Sequence, residues 1–465
     1  MAQSPLGVVP RESSQSAKFR AAISHIFNIR PLYCGVYRTS ESHALIFPRT
    51  VWLLAAVGFV PLPHAEAFLP SDRWQTTAGG AASSQGAPMS VSWSIVPDGT
   101  PHRTGQLSQL VAFLDQQFGV ADHNTPLAER PWFPVVASAF DRWSQLGGLT
   151  LNYVDYDDGA ELGGGSPGVV GVRGDIRLSA MSIDGVRGVL AASSFPDTGD
   201  IVIDVDGGNF LLSPTDNYRR LRNVLMHEIG HAFGLDHIES IDARFLMETE
   251  YDNSLDGPQI DDIRGLHYLY GDHLEGRGQT VGLFDDVVEL GPLVPGGMLS
   301  VGGNAARQLR QVEPHEIDFV SISSRNDVDR YRIRTASSDL HVLLEPVGGL
   351  FRQGLPGEMQ FLIDANASVL LTAELFTLDG QLLVRSSAVA RGAGVAFDFT
   401  NDSAMGDYIL QVRGGRDSIQ LYSLAISSPA NVVPEASTLS ISLALVVVFR
   451  SLRRLRTPLR DASVA

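Results

Sequence analysis

The chain has 465 residues, a hydrophobic fraction of 44% and a formal charge of −17 at pH 7. That length exceeds one ordinary domain and the apolar content is enough for packed cores, so two or three folded units are expected. The negative balance, with no basic stripe, excludes nucleic acid as a natural partner; the one cysteine, Cys34, excludes an intrachain disulfide and a thiolate metal site.

Residues 1–67 read as an N-terminal extension. Arg49 precedes the apolar run 51–60, then come Pro61, Pro63 and Ala65-Glu66-Ala67. A basic residue, a short apolar run and small residues at a cleavage site describe a secretory signal, so export is expected. Residues 68–88 are rich in Gly, Ala and Ser and read as a linker. Residues 91–96 alternate as a strand does, and 149–154 form a second such run. Between them, 131–146 place Val135, Phe140 and Trp143 near one face of a helix, with Pro131 in its first turn. Residues 175–178, 188–191 and 200–204 are three further strand candidates. A helix follows, with Asp216 or Asn217 as N-cap and its end at Gly234.

That helix carries His227-Glu228-Ile229-Gly230-His231-Ala232-Phe233-Gly234-Leu235-Asp236-His237. His227 and His231 lie one turn apart on one face and can grip one metal ion. Glu228 is turned about 100° around the axis, beside the metal rather than on it, where a general base belongs. Were the helix to continue, His237 would stand roughly 9 Å up the axis from His231. A shared zinc needs Zn–N distances of about 2.0–2.1 Å. The chain must therefore turn back, and Gly234 can take φ > 0 without a Cβ penalty. Met247 follows His237 by ten residues. Residues 258–271 read as a closing helix, with Pro258 near the start, Asp261 and Asp262 complementing the dipole, and Gly271 at the C-cap. Its His267 shares a face with Ile260, Ile263 and Tyr270 and reads as a core histidine.

The H-E-x-x-H-x-x-G-x-x-H pattern resembles the metzincin zinc peptidases. Met247 and the Asp-Asp-Ile to Leu-Tyr-Gly ending resemble the matrixin branch, over roughly 90–272. The resemblance implies an α+β metzincin catalytic domain over 89–274, a mixed twisted sheet with three helices. It also implies a catalytic Zn2+ held by His227, His231 and His237, Glu228 as general base, and Met247 as an apolar floor. Three departures stand out. Ala192 and Val202 occupy the places of histidines that hold a second, structural zinc in the family. Ile238 follows the third histidine. Glu248-Thr249 replaces the Tyr-Pro that lines the family's S1′ pocket, so specificity does not carry over. Structural Ca2+ is a further candidate, through Asp184, Asp200, Asp204 and Asp206, since calcium takes oxygen ligands.

Residues 275–310 read as a linker and 311–428 as an all-β sandwich of short alternating strands. Asp327-Val328-Asp329-Arg330-Tyr331 and residues 406–412 resemble the bacterial pre-peptidase C-terminal domain. Over 431–456, Val433-Pro434-Glu435-Ala436 precedes an apolar stretch to Phe449 and then Arg450, Arg453, Arg454 and Arg456. This resembles the PEP-CTERM sorting signal. It implies an exosortase-type processing enzyme as partner, transient membrane contact, and a place in the envelope, on the surface or outside a Gram-negative-type bacterium. A plain membrane anchor is the alternative. The function expected is a secreted or cell-surface zinc-dependent endopeptidase acting on protein or peptide substrates. The competing class is a catalytically silent envelope binding or adhesion protein on the same scaffold.

Overall fold

The computed structural model describes residues 68–429 apart from 82–83, 165–166, 187 and 402–405. Cys34, the signal-like segment and the sorting segment 431–456 lie outside the described residues. Among the described residues no helix is long and apolar enough to cross a membrane.

A small hairpin of β1 (Thr76–Thr77) and β2 (Gly80–Ala81) leads into a five-stranded sheet. Its strands are β3 (Met89–Ile95), β4 (Leu149–Tyr153), β5 (Ile176–Met181), β6 (Ala191–Ser193) and β7 (Ile201–Asp204), in the order β4-β3-β5-β7-β6. The first four run parallel and β6 pairs antiparallel with β7. Every residue of β5 and β7 is buried, as expected of parallel strands covered on both faces. The helices are α1 (Leu110–Phe118), α2 (Phe133–Leu146), the single turn α3 (Gly208–Leu211), α4 (Arg219–Ala232) and α5 (Ile260–Tyr270). On α2, Phe140 stacks on Trp93 of β3 with ring centroids 4.2 Å apart.

Several expectations are corrected. Helix α1 has no sequence signal at its start because its cap is remote: the Asp98 carboxylate accepts from the amides of Val111 and Ala112. Asp216 and Asn217 are not the N-cap of α4; with Tyr218 they form a run of left-handed residues and Tyr218 takes the cap position. Residues 68–88 are no free linker. Phe68 and Trp74 are buried, and Pro70 bridges to Leu235.

The segment 275–310 is likewise built in. It supplies β8 (Gln279–Val281), β9 (Phe284–Leu293) and β10 (Met298–Val301). The strands that follow are β11 (Val320–Ile322), β12 (Val328–Thr335), β13 (Asp339–Val347), β14 (Leu350–Gln353), β15 (Phe361–Asp364), β16 (Leu371–Thr377), β17 (Leu382–Ser387), β18 (Val395–Thr400), β19 (Gly406–Gly414) and β20 (Gln420–Ser427). They form a six-stranded sheet, β17-β16-β19-β12-β9-β8, and a five-stranded one, β10-β20-β13-β18 with β11 also on β20. Tyr331 and Leu375 from the first sheet and Leu344 and Leu424 from the second share one apolar cluster. β14 and β15 pair only with each other.

Packing does not break at 274. The cluster that holds Trp143, Phe233, Met247 and Tyr270 also contains Val312, Phe319, Phe351 and Leu421. Burying each such side chain is worth about 1.5–3 kcal/mol, so the seam contributes materially to stability. His267 fastens it. Its Nε2–H donates to the Leu146 carbonyl at 2.6 Å, which leaves Nδ1 to accept from the Ser321 hydroxyl at 3.0 Å. Burial holds its pKa down to about 3, so this histidine is a neutral core residue.

Candidate metal centre

Helix α4 is buried almost along its whole length, and its last turn leaves carbonyls without intrahelical partners. Three tryptophan and tyrosine side chains fix this helix through its carbonyls. Trp74 donates to Ala232, Tyr270 to Phe233 and Trp143 to Met226, at 2.8, 2.8 and 2.9 Å. The Leu235 amide donates back to Gly230 and the Gly234 amide to His231. Gly234 has φ +103°, and a Cβ there would lie 1.6 Å from the Asp72 carbonyl oxygen. Only glycine fits, for conformational and steric reasons together.

The reversal carries His237 back over the helix. His227 Nε2 lies 3.0 Å from His237 Nε2 and 3.1 Å from His231 Nε2, and the third side of the triangle is 3.2 Å. Nδ1 of His227 faces the Leu246 carbonyl at 2.7 Å, and Nδ1 of His231 faces the Leu235 carbonyl at 2.6 Å. A carbonyl only accepts, so both Nδ1 atoms carry the proton and both Nε2 atoms present lone pairs. Burial lowers the pKa of all three rings, that of His227 to about 4, so they are neutral. Lone pairs facing one another at this distance repel unless a cation lies among them. Four tetrahedral ligands at about 2.05 Å from zinc are about 3.3 Å apart. The donor set and its spacing fit that ion.

Glu228 is fully buried, and neither carboxylate oxygen has a hydrogen-bond partner. Burial pushes its pKa well above the ordinary carboxylate value. Met247 lies under the helix at Gly230, where a Cβ would sit 2.5 Å from the Met247 sulfur. The Asp262 carboxylate accepts from the amides of Leu246, Met247 and Gln259. It thus ties the start of α5 to the turn whose Leu246 carbonyl orients His227. Sequence reasoning assigned Asp262 only to the helix dipole and gave Gly230 no role. The Gln259–Asp262 capping-box spacing was the available signal.

The four aspartates considered for calcium are not gathered into one group. Among the described residues two sets of three or more His, Cys, Asp or Glu side chains are close enough to share an ion: the three histidines, and Glu275, Asp327 and Asp329. Asp200 instead accepts from the Gly163 amide and lies near Arg177 and Asp157. Asp204 accepts from the amides of Ile183 and Asp206, and Asp184 from that of Val189. Where the family has histidines for a second zinc, Ala192 and Val202 are paired neighbours in an apolar cluster with Met181, Ile183 and Val189.

Comparison with known proteins converges on this region. Residues 116–271 match the family model for matrixin. The metalloendoproteinase 5-MMP of Arabidopsis thaliana is 30% identical over 153 residues, covering 31% of this chain and 41% of that protein. Human matrix metalloproteinase-16 is 34% identical over 149 residues, covering 29% of this chain and 23% of that protein. The chain thus spans less than half the length of these relatives. A solved structure, the pre-peptidase C-terminal domain of collagenase from Bacillus anthracis, aligns with 30% of this chain and 95% of its own. Its identity is 12% and the TM-score 0.17, too low to bear on the fold.

Proposed function

We propose that this chain is a zinc-dependent endopeptidase, exported and acting on protein or peptide substrates, with His227, His231 and His237 as metal ligands and Glu228 as the catalytic base. The observation that carries this reading is the triangle of buried Nε2 atoms about 3 Å on a side, with the protons of His227 and His231 held on Nδ1 by carbonyls. Bound zinc would supply Lewis acidity, polarising a peptide carbonyl and lowering the pKa of water towards about 7. The residues supply the rest. The carbonyls of Leu246 and Leu235 hold two rings in the tautomer that leaves Nε2 free. The Glu228 carboxylate, raised in basicity by its enclosure, takes a proton from the attacking water and returns it to the leaving amine. Met247 closes the floor, and Gly230 makes room for it.

Hydrolysis of a casein or gelatin panel by the purified chain, lost on chelation and restored by zinc, tests the proposal. A silent binding or adhesion protein would retain zinc and cleave nothing on the panel. Export and C-terminal processing rest on residues 51–67 and 431–456, and the exosortase-type partner on the latter. Recovery of a peptide containing Leu443 from the mature surface form would exclude processing.

A further inference from the structure

We propose that the β14–β15 hairpin is a positioning element of the zinc site, holding from outside the loop that carries His237. This rests on the zinc reading above. The loop from His237 to Met247 meets the helix that bears the other two histidines at its ends, where the Leu246 carbonyl faces His227 Nδ1 and Met247 packs on Gly230. Its own two ends are joined by the Ile238 amide, which donates to the Met247 carbonyl. The C-terminal β-region supplies much of the rest.

Glu239 and Gly354 exchange backbone hydrogen bonds in both directions, at 2.9 and 3.1 Å. The Ser240 hydroxyl donates to the Arg352 carbonyl at 2.6 Å, and the Ile241 amide to the Gln360 side chain at 2.8 Å. The Arg352 amide donates to Asp242 at 2.7 Å while its guanidinium pairs with the other oxygen at 3.1 Å. The Phe351 ring packs edge-on against Phe245, two residues before Met247, with centroids 5.1 Å apart. β14 and β15 bond to neither large sheet, so within the sheet network their edge is spent on this loop. A two-stranded hairpin alone is marginal in water, and a long loop alone samples many conformations. Each becomes ordered by the other, and His237 stands at the end of what they order.

Coupling of this kind is reciprocal: if the hairpin favours zinc binding, zinc must favour the docked hairpin. Hydrogen exchange followed by mass spectrometry on the full chain, with zinc and after chelation, tests it without any mutation. Loss of zinc should speed exchange in residues 350–364 at least tenfold while β13 and β20 stay protected. Faster exchange in 238–247 alone, with 350–364 unchanged, would overturn the inference. A second measurement uses Arg352→Ala/Gln360→Ala, which leaves the loop's own residues intact. Competition with a chromophoric chelator should show zinc held about three- to tenfold more weakly, with the melting midpoint of the zinc-free chain unchanged. Zinc affinity equal to the parent's would also overturn it. A parent chain that binds no zinc would instead sink the zinc reading itself.

Discussion

Two clusters of side chains spaced to share an ion lie among the described residues, and they satisfy themselves in opposite ways. The histidine triangle is buried with the outer nitrogens of His227 and His231 committed to carbonyls, so their inner lone pairs face each other 3.1 Å apart, as the ligands of one cation would. The second cluster, Glu275, Asp327 and Asp329, stands where the end of the matrixin-matching region meets the β-region. It is laced with donors. Ser323 gives its amide and hydroxyl to Asp327, the Tyr422 hydroxyl donates to Asp329, and Tyr331 and Tyr422 share a 2.6 Å contact. Burial raises all three carboxyl pKa values, and repulsion from neighbouring carboxylates adds to it at Glu275 and Asp329, so protons can be held in common. One cluster calls for metal and the other for protons. Acid should strip the first, since protons compete for metal ligands. Alkali should loosen the second.

The largest effect expected on the histidine side is Glu228→Ala. It should cut peptide hydrolysis by about three to four orders of magnitude, a loss of roughly 4–5 kcal/mol in transition-state stabilisation. Zinc content should stay at the parent level, because Glu228 makes no bond to the three rings. Metal analysis beside a peptide-cleavage assay checks both. Zinc lost from a folded variant would make Glu228 a ligand, and near-parental turnover would remove it from the chemistry.

Next come the two glycines that shape the triangle. Gly234→Ala meets a backbone oxygen at 1.6 Å with φ at +103°, so no side-chain motion relieves it. A cost above about 3 kcal/mol, seen in urea unfolding of the zinc-free chain, is expected. The nearest neighbours of an alanine at Gly230 are side chains, the Met247 sulfur at 2.5 Å and the Trp143 ring at 3.3 Å. Methionine is flexible and alanine favours helix by about 1 kcal/mol, so the net loss should be about 1–2 kcal/mol. An unchanged midpoint for Gly230→Ala would show that Met247 has room to move and is no floor.

These sites differ in how far sequence alone reveals them. The ligand helix was legible because its constraints are local: two histidines at helical spacing, then a glycine where the chain must reverse. The strands at 89–95, 149–153 and 201–204 and the closing helix were legible through period and capping for the same reason. What escaped was non-local. Trp74 reaches Ala232 across 158 residues, and Glu239 meets Gly354 across more than a hundred. Neither leaves a pattern in its own neighbourhood. The 275–310 segment read as a linker because Gly and Pro punctuate it, yet its strands are stabilised by partners such as β12 and β20. The carboxylate cluster escaped in the same way, since Glu275 is brought to Asp327 and Asp329 by the fold.

That cluster gives the smallest of the expected effects. Each member has a folded pKa above its unfolded value near 4, with burial as the first cause. Between those two values the native state holds more protons than the unfolded chain, so stability falls as pH rises. It is greatest below the unfolded pKa and declines through the window up to the folded one. Asp272, whose carboxyl accepts from the Ser321 amide, is pushed the same way, to about 7. Glu275 and Asp327 are hydrogen-bonded to each other, so a single shared proton relieves both. The change should therefore be modest, about 1–2 kcal/mol between pH 5 and pH 8. Urea midpoints of the zinc-free chain at the two pH values measure it. Glu275→Gln/Asp327→Asn removes the titrating pair while keeping its shape and should flatten the slope. A double variant as pH-sensitive as the parent would place the titration elsewhere; the comparison with the parent isolates the pair from the buried histidines, whose lowered pKa values push stability the other way.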